Sequence, residues 1–225
     1  MTDCIWLSNV YGDSMSLRGF RSMRPDHDGK NPDPRTVAAI TKAKRGELLP
    51  AEDVPTDFFA VAHWADHRKA PLDIFTNGFL IITEESAAVL RQFDLGACRL
   101  HPVRLWHPDR KTRFGTGHYV LNFASRKDAF LPDRSPRMKR VPLTPDRWSP
   151  PTNLQDNEFG FTKAALHAPD LWWDRRIVYG FFLSHRLAQA LKAAKLAKHW
   201  RLFRCPVVDA EALRKMGAER MGGDA

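Results

Sequence analysis

Apolar and polar residues follow the same order in two distant segments of the chain. The first, from Gly78, reads GFLIITEESAAVLRQFDLGACRLHPVRL, and the second, from Gly180, reads GFFLSHRLAQALKAAKLAKHWRLFRCPVV. In each segment an apolar run leads to a hydroxyl residue, an amphipathic stretch and then an apolar run containing a proline. Aligned on Thr83 and Ser184, three further pairs match: Ala87 with Ala188, Leu90 with Leu191, and Leu95 with Leu196. This pattern predicts a strand–helix–strand unit that occurs twice.

Local chemistry supports each part of this unit. Residues 79–82 are short, apolar and partly β-branched, which is typical of a buried strand. Thr83 and Ser184 are predicted helix caps, because their hydroxyls accept a hydrogen bond from an N–H group of the first helical turn. The second helix is predicted to bury Leu187, Ala188, Leu191 and Ala194. Chance similarity is the alternative, since two copies do not make a repeat array.

Other segments predict further helices and strands. Asp33 and Pro34 indicate the start of a helix over residues 36–45, which Gly46 closes. Residues 55–70 predict a second helix capped by Thr56 or Asp57, with a strand as the alternative. The alternating apolar segments 98–106 and 117–124 predict the two arms of a β-hairpin.

The stretch 132–151 holds six prolines, which exclude a regular helix or strand over its length. It is also rich in cations, namely Arg134, Arg137, Lys139, Arg140 and Arg147. We therefore expect a long, basic, proline-rich loop at the surface. The predicted fold class is α+β, with a mixed sheet in one domain over 1–208, a possible subdomain division near 132–157 and a tail over 209–225.

Composition narrows the function classes. With 225 residues and 43% hydrophobic residues the chain is able to bury a sizeable core. Its net charge of +9 favours an acidic partner, either a protein surface or a nucleic acid. No apolar run approaches the roughly 20 residues that cross a membrane. The N-terminus lacks the order of a secretory signal, and Cys4, Cys98 and Cys205 form no paired motif, which predicts reduced thiols in the cytoplasm.

The sequence carries no constellation that calls for an enzyme. His63 and His67 have the spacing of a zinc motif, but Trp64 stands where the general-base glutamate would be. No nucleophile elbow is present, and Cys98 follows a helix end, where nothing lowers a thiol pKa. We therefore expect no metal, no cofactor and no catalytic activity, with a small enzyme whose site the sequence hides as an alternative.

The segment APDLWWDRR, residues 168–176, is the densest cluster of aromatic and charged residues. Adjacent side chains diverge in regular structure, so one tryptophan is expected in the core and the other outside. Tryptophan and arginine are frequent anchors of protein interfaces. The predicted partner-binding residues are Asp170, Trp172, Trp173, Asp174, Arg175 and Arg176. In the alternative, both tryptophans lie inside and the charges only pair with one another.

The runs GFLIITEESAAVLRQFDLG, HPVRL, DLWWDRR and FFLSHRLAQALKAAKL together resemble a family of bacterial immunity proteins found beside polymorphic toxins. The resemblance covers about residues 72–208 and rests on strand, cap and helix motifs. It implies a protein that neutralises one toxin by stoichiometric binding, with no catalytic residues. Because this chain is basic, we expect an acidic toxin surface as its partner. The alternative is a nucleic-acid-binding module that uses the 132–151 loop, which the evenly spread charge makes less favoured.

Overall fold

The chain forms an α+β fold built on two main sheets. The computed structural model describes residues 3–24, 32–62, 71–115, 117–144 and 146–208. Within these residues the helices are α1 (Pro34–Lys44), α2 (Glu84–Leu90), α3 (His185–Ala193) and α4 (Ala197–Trp200). The strands are β1 (Cys4–Ser8), β2 (Phe20–Ser22), β3 (Asp57–Ala60), β4 (Ile74–Thr76), β5 (Leu80–Thr83), β6 (Cys98–Trp106), β7 (His118–Phe123), β8 (Arg126–Lys127), β9 (Phe130–Leu131), β10 (Lys139–Arg140), β11 (Trp148–Ser149), β12 (Gly160–Phe161), β13 (Leu171–Asp174), β14 (Phe181–Ser184) and β15 (Leu202–Pro206).

The larger sheet has six strands in the order β2-β3-β6-β7-β5-β4. β3 runs parallel to β6, while the other neighbours are antiparallel, so the sheet is mixed as predicted. The predicted hairpin is confirmed: β6 and β7 are its arms, with Cys98 opposite Phe123 and Val103 opposite His118.

The second sheet has five strands in the order β15-β1-β14-β13-β8. β13 and β8 are parallel, and the remaining pairs are antiparallel. The N-terminal strand β1 lies between β14 and β15, so the beginning of the chain completes a sheet formed mainly by its end.

The two strand–helix–strand segments occupy equivalent places in the two sheets. The order β4-β5-β7-β6 in one sheet corresponds to β13-β14-β1-β15 in the other, and each of these neighbouring pairs is antiparallel. In the second unit β1, from the opposite end of the chain, takes the place that β7 holds in the first. Local patterning identifies the strand–helix–strand part but gives no sign of this partner, because the pairing is set by tertiary contacts.

The predicted caps are confirmed. Thr83 Oγ1 accepts a hydrogen bond from the N–H group of Ser86, and Ser184 Oγ accepts one from Leu187. Glu84 and Glu85 in the first turn of α2 add the negative charge that the helix dipole favours.

The helix after Asp33 is also confirmed. Asp33 caps α1 through the N–H groups of Arg35 and Thr36, and Gly46 follows the helix in a left-handed conformation, with φ +69°. Glycine adopts this conformation without the steric penalty of a side chain, so it ends the helix cleanly.

One large apolar cluster joins the two units. It draws Leu80 and Ile82 from one sheet, Phe181 and Leu183 from the other, and the buried faces of α2 and α3. A second cluster lies on the other face of the five-stranded sheet, where residues 129–161 cover it. A third lies on the other face of the six-stranded sheet, beneath α1.

Over the described residues 55–62 the predicted helix is wrong, and the alternative strand is correct there. Residues 57–60 form β3, buried at every position and paired with both neighbours. Asp57 does not cap a helix; it accepts hydrogen bonds from Arg104 and from the indole N–H of Trp106. The predicted pair His63 and His67 lies outside the described residues.

Ala194 is exposed, contrary to the prediction that α3 buries it. It follows the last helical residue, and its N–H group donates to the carbonyl of Ala190. Lys195 then takes a left-handed conformation, with φ +62°, and turns the chain towards α4. The other three predicted residues of this face, Leu187, Ala188 and Leu191, are fully buried.

The basic stretch 132–151 carries short elements. β10 and β11 pair within it, and Met138 is buried in the cluster beneath the five-stranded sheet. Leu154 and Phe159, just beyond it, belong to the same cluster. The single domain over 1–208 and the division near 132–157 stay predictions, and the tail 209–225 lies outside the described residues.

Candidate partner-binding cleft

The two adjacent tryptophans in β13 point in opposite directions. Trp172 is completely buried beneath the five-stranded sheet, whereas Trp173 is partly exposed on the opposite face. Alternation along a strand produces this divergence. The prediction that one of the two is a core residue is therefore confirmed for Trp172. Because it is completely buried, its side chain is not available to a binding partner.

The ammonium group of Lys127 lies over the ring of Trp172. Its Nζ atom lies 3.6 Å from the centroid of the indole ring and donates hydrogen bonds to the carbonyls of Ala165, His167 and Pro169. Burial lowers the pKa of Lys127 to about 8. The contact of an ammonium group with an aromatic face is attractive, so this lysine joins the sheet to the segment before β13.

Trp173 lies in a stack of aromatic rings. Its ring stacks on Phe123 with centroids 4.7 Å apart, and Tyr11 lies 5.8 Å away. The indole N–H donates to the carbonyl of Phe123 at 3.1 Å. Trp173 is thus a fixed side chain rather than a projecting one.

Both predicted aspartates are buried and have structural roles. Asp170, 2% exposed, accepts hydrogen bonds from Arg186 and Ser184 at the start of α3. Burial alone would raise the pKa of Asp170, but these hydrogen bonds outweigh it and hold the pKa below its usual value. Its cationic partner, Arg186, lies outside the segment 168–176, so Asp170 is a buried, paired charge rather than an exposed contact residue.

Asp174 is 1% exposed and accepts hydrogen bonds from the N–H groups of Ala129, Phe130 and Arg176. Burial raises the pKa of Asp174 above its ordinary value in spite of these donors. Its carboxylate fixes the turn after β8 and the start of the turn after β13. Neither Asp170 nor Asp174 is therefore able to contact a partner directly in this conformation.

Arg175 remains accessible, whereas Arg176 is partly buried. The Arg175 guanidinium is exposed and lies 3.4 Å from Asp128, and the Nε atom of Arg176 lies 3.3 Å from the same carboxylate. Arg176 also donates to the carbonyl of Phe130. Arg176 also lies 3.8 Å from Asp174, so the two arginines of this turn are paired with two carboxylates.

The turn after β13 borders a cleft of about 590 Å³. Its walls come from the end of α1, from β8, from the basic stretch and from the β13 turn. The lining residues are Lys44, Arg45, Glu47, Arg126, Asp146, Arg147, Trp173, Asp174, Arg175, Arg176 and Ile177. Six of these side chains are basic and three are acidic.

Four of the six cations have no acidic partner. Within the described part of the chain, no carboxylate lies within ion-pair distance of Lys44, Arg45, Arg126 or Arg147. The guanidinium of Arg126 donates to the carbonyl of Arg45, a neutral acceptor that leaves its charge uncompensated. Like charges held together repel, so an anionic partner at this cleft gains affinity from several cations at once.

A smaller cavity of about 310 Å³ adjoins the cleft. The two share Lys44, Arg147, Trp173 and Ile177. The remaining walls of the smaller cavity are Tyr11, Val141, Val178 and Tyr179. We call the two together the cleft groove.

The described residues offer little for metal or nucleophilic chemistry. No group of three or more His, Cys, Asp or Glu side chains among them is arranged to hold a metal ion. Cys4 Sγ lies 3.1 Å from His185 Nδ1, but the indole N–H of Trp6 donates to the same nitrogen and Cys4 is buried. Burial raises the pKa of Cys98 to about 12, which makes its thiolate scarce.

No helix in the described ranges has the length and apolar character needed to cross a membrane.

Local sequence pattern indicates only part of this site. It predicts Trp173, Arg175 and Arg176 as binding residues and places Arg147 in the basic stretch. Local pattern gives no sign of Lys44, Arg45 and Arg126, because the first two lie far from Arg126 in the chain and all three converge only in the fold. The only local signal was Gly46 at the end of α1, because the chain turns there beside Trp173 and Arg126.

Comparison with known proteins adds no further constraint: no protein-family model matches the chain, and no curated protein matches it.

Proposed function

We propose that this protein is a bacterial immunity protein that binds one toxin in the cytoplasm and neutralises it stoichiometrically. One observation carries the proposal: four cationic side chains without acidic partners converge on a cleft that also contains Trp173, Arg175 and Arg176. Such a cleft is suited to an acidic protein surface, because charge complementarity speeds encounter and suppresses wrong partners. The resemblance over about residues 72–208 supports the same function.

Nucleic acid is the second candidate, because Arg147 of the basic stretch lines the cleft. Single-stranded nucleic acids are commonly bound by bases stacked on exposed aromatic rings. Trp173 is already stacked on Phe123 and flanked by Tyr11, so the cleft has little to offer a base. We expect no measurable binding of DNA or RNA at physiological salt, where phosphate contacts weaken steeply.

The test is co-purification with the product of the neighbouring gene, followed by calorimetry of the purified pair. The proposal expects a one-to-one complex and loss of the toxin's activity when the complex forms. The double variant Arg147→Glu/Arg175→Glu should weaken binding by at least about a hundredfold, since each reversed charge becomes repulsive. Its matched control is Lys111→Glu/Lys198→Glu, two exposed lysines that do not line the cleft.

Three outcomes separate the candidates. Binding lost in the cleft variant and kept in the control supports the immunity function at this face. If both double variants still bind the toxin, the toxin binds elsewhere on the surface. Nanomolar affinity for DNA or RNA at physiological salt, with no effect on any neighbouring protein, overturns the proposal in favour of nucleic-acid binding.

A further inference from the structure

The cleft groove has two chemically different ends. At one end Arg45, Arg126 and Arg175 provide positive charge. At the other, Val141, Val178 and Tyr179 provide an apolar wall around about 310 Å³. Lys44 and Arg147 line both cavities and therefore stand where the two ends meet. A ligand lying along the groove meets cations first and then an apolar pocket.

Tyr179 marks the apolar end as a surface for contact. It is 63% exposed and has a left-handed backbone, with φ +60°. A bulky residue in this conformation is uncommon, because its Cβ crowds the backbone. Six other non-glycine residues of the described chain share this conformation, so the feature that distinguishes Tyr179 is its exposed ring beside the cavity. The exposed ring beside a cavity is also the type of residue that anchors protein interfaces.

We propose that the cleft groove binds an acidic segment of the partner protein whose carboxylates lie at the cationic end and which places one large apolar side chain in the pocket beside Tyr179. This inference rests on the proposed function and specifies the chemistry of the partner. Charge complementarity favours carboxylates at the cationic end. Its basic residues have no acidic partner among the described residues, namely Lys44, Arg45, Arg126 and Arg147.

The apolar end of the groove favours a protein segment over a nucleic acid strand. A phosphate backbone carries charge at every step and has no aliphatic group to place beside Val141, Val178 and Ile177. The ring of Trp173 is already stacked on Phe123, so a base would have to stack on the exposed ring of Tyr179, an alternative that the oligothymidylate probe tests. A peptide supplies both parts, because a leucine or phenylalanine between glutamates matches the order of the groove.

The experiment uses the full chain and three fluorescein-labelled probes. The first is a glutamate-rich peptide with one central phenylalanine, the second has serine in place of the phenylalanine, and the third is a single-stranded oligothymidylate of similar charge. Fluorescence anisotropy measures each affinity at low and physiological salt. We expect the phenylalanine peptide to bind at least about tenfold more tightly than the serine peptide, which corresponds to the filling of one apolar pocket.

Two variants separate the ends of the groove. Arg147→Glu should weaken both peptides, whereas Tyr179→Asn should weaken only the phenylalanine peptide and bring it to the level of the serine peptide. Asparagine tolerates the left-handed backbone at this position, so the fold is preserved. The matched control is Met15→Asn, because Met15 is also 63% exposed and does not line the groove.

Each result has one meaning. Equal affinity for the two peptides removes the apolar end from the proposal, and tighter binding of the oligothymidylate replaces the peptide with a nucleic acid. If the neighbouring toxin binds tightly but is insensitive to Arg147→Glu and Tyr179→Asn, the groove inference fails while the immunity function stands. If the phenylalanine peptide binds as expected and no toxin does, the groove stands and the immunity function fails.

Discussion

Thr83 and Ser184 occupy the same position in the two strand–helix–strand units, each ending a strand and capping the helix that follows. Their surroundings differ. Thr83 Oγ1 lies 3.5 Å from the N–H of Ser86, whereas Ser184 Oγ lies 3.2 Å from that of Leu187 and also donates to the buried carboxylate of Asp170. The serine thus joins α3 to Asp170, the residue before β13, whereas the hydroxyl of Thr83 contacts only α2 among the described residues.

We therefore expect unequal costs when each hydroxyl is removed. Thr83→Ala should lower the free energy of unfolding by about 1 kcal/mol, the usual loss of a cap. Ser184→Ala should cost about 2 kcal/mol, because a hydrogen bond to a charged group is also lost. Urea denaturation of both variants measures the difference, and Thr83→Ser and Ser184→Thr are the controls that keep a hydroxyl. Equal losses would show that the bond to Asp170 adds nothing.

The two tryptophans of β13 lead to a second prediction. Trp172→Ala should destabilise the protein by about 3–5 kcal/mol, the range for truncating a large buried aromatic residue. Trp173→Ala should also cost about 2 kcal/mol, because it loses the stack on Phe123 and the indole hydrogen bond. Thermal unfolding monitored by circular dichroism gives both values. A Trp173→Ala variant as stable as the wild type would mean that the ring is a pure surface anchor.

Local sequence determines some features of this fold, whereas others depend on contacts between distant elements. Caps at Thr83, Ser184 and Asp33 depend on the nearest three residues, so local pattern predicts them. The strand at residues 57–60 was ambiguous because all its positions are buried, and a run without alternation fits either structure. Burial of Asp170 and Asp174 could not be predicted, since their donors belong to other elements. The convergence of the cleft cations could not be predicted either, because these residues also belong to different elements.

The buried imidazole of His101 predicts acid sensitivity. Burial, followed by the nearby charge of Arg99, lowers the pKa of His101 below its ordinary value. The unfolded chain then binds a proton near pH 6.5 that the folded chain binds only at lower pH. The contribution of His101 to stability is therefore constant above that pH and falls as the pH drops below about 6.5. Urea denaturation at several pH values should show this slope.

His101→Leu tests the assignment. The Nε2 atom of His101 is buried and has no hydrogen-bond partner among the described residues, so the apolar replacement should not destabilise the protein at neutral pH. Below pH 6.5 the variant should lose less stability than the wild type. Burial also lowers the pKa of His118, so His101→Leu/His118→Leu should flatten the profile further. An unchanged acid slope in both variants would assign the sensitivity to other groups.

Gly46 lies against two residues that line the cleft, Arg126 and Trp173, and Gly115 provides a matched control for it. Both glycines have a left-handed backbone, with φ +69° and +45°. A methyl group at Gly46 would lie 3.2 Å from the guanidinium of Arg126 and 3.3 Å from the Trp173 ring, whereas one at Gly115 would meet nothing within 4 Å. Alanine at either position costs roughly 1–2 kcal/mol for the left-handed conformation.

Only Gly46→Ala should in addition displace Arg126 and the edge of Trp173, because these contacts are tighter than ordinary van der Waals distances. We expect both variants to melt at similarly reduced temperatures, and we expect Gly46→Ala alone to bind the glutamate-rich phenylalanine peptide several-fold more weakly. Measuring both properties on the same preparations separates folding from recognition. If Gly46→Ala binds the peptide as Gly115→Ala does, the cationic end of the cleft does not depend on this close approach, and Arg126 is not among the residues that hold the acidic segment.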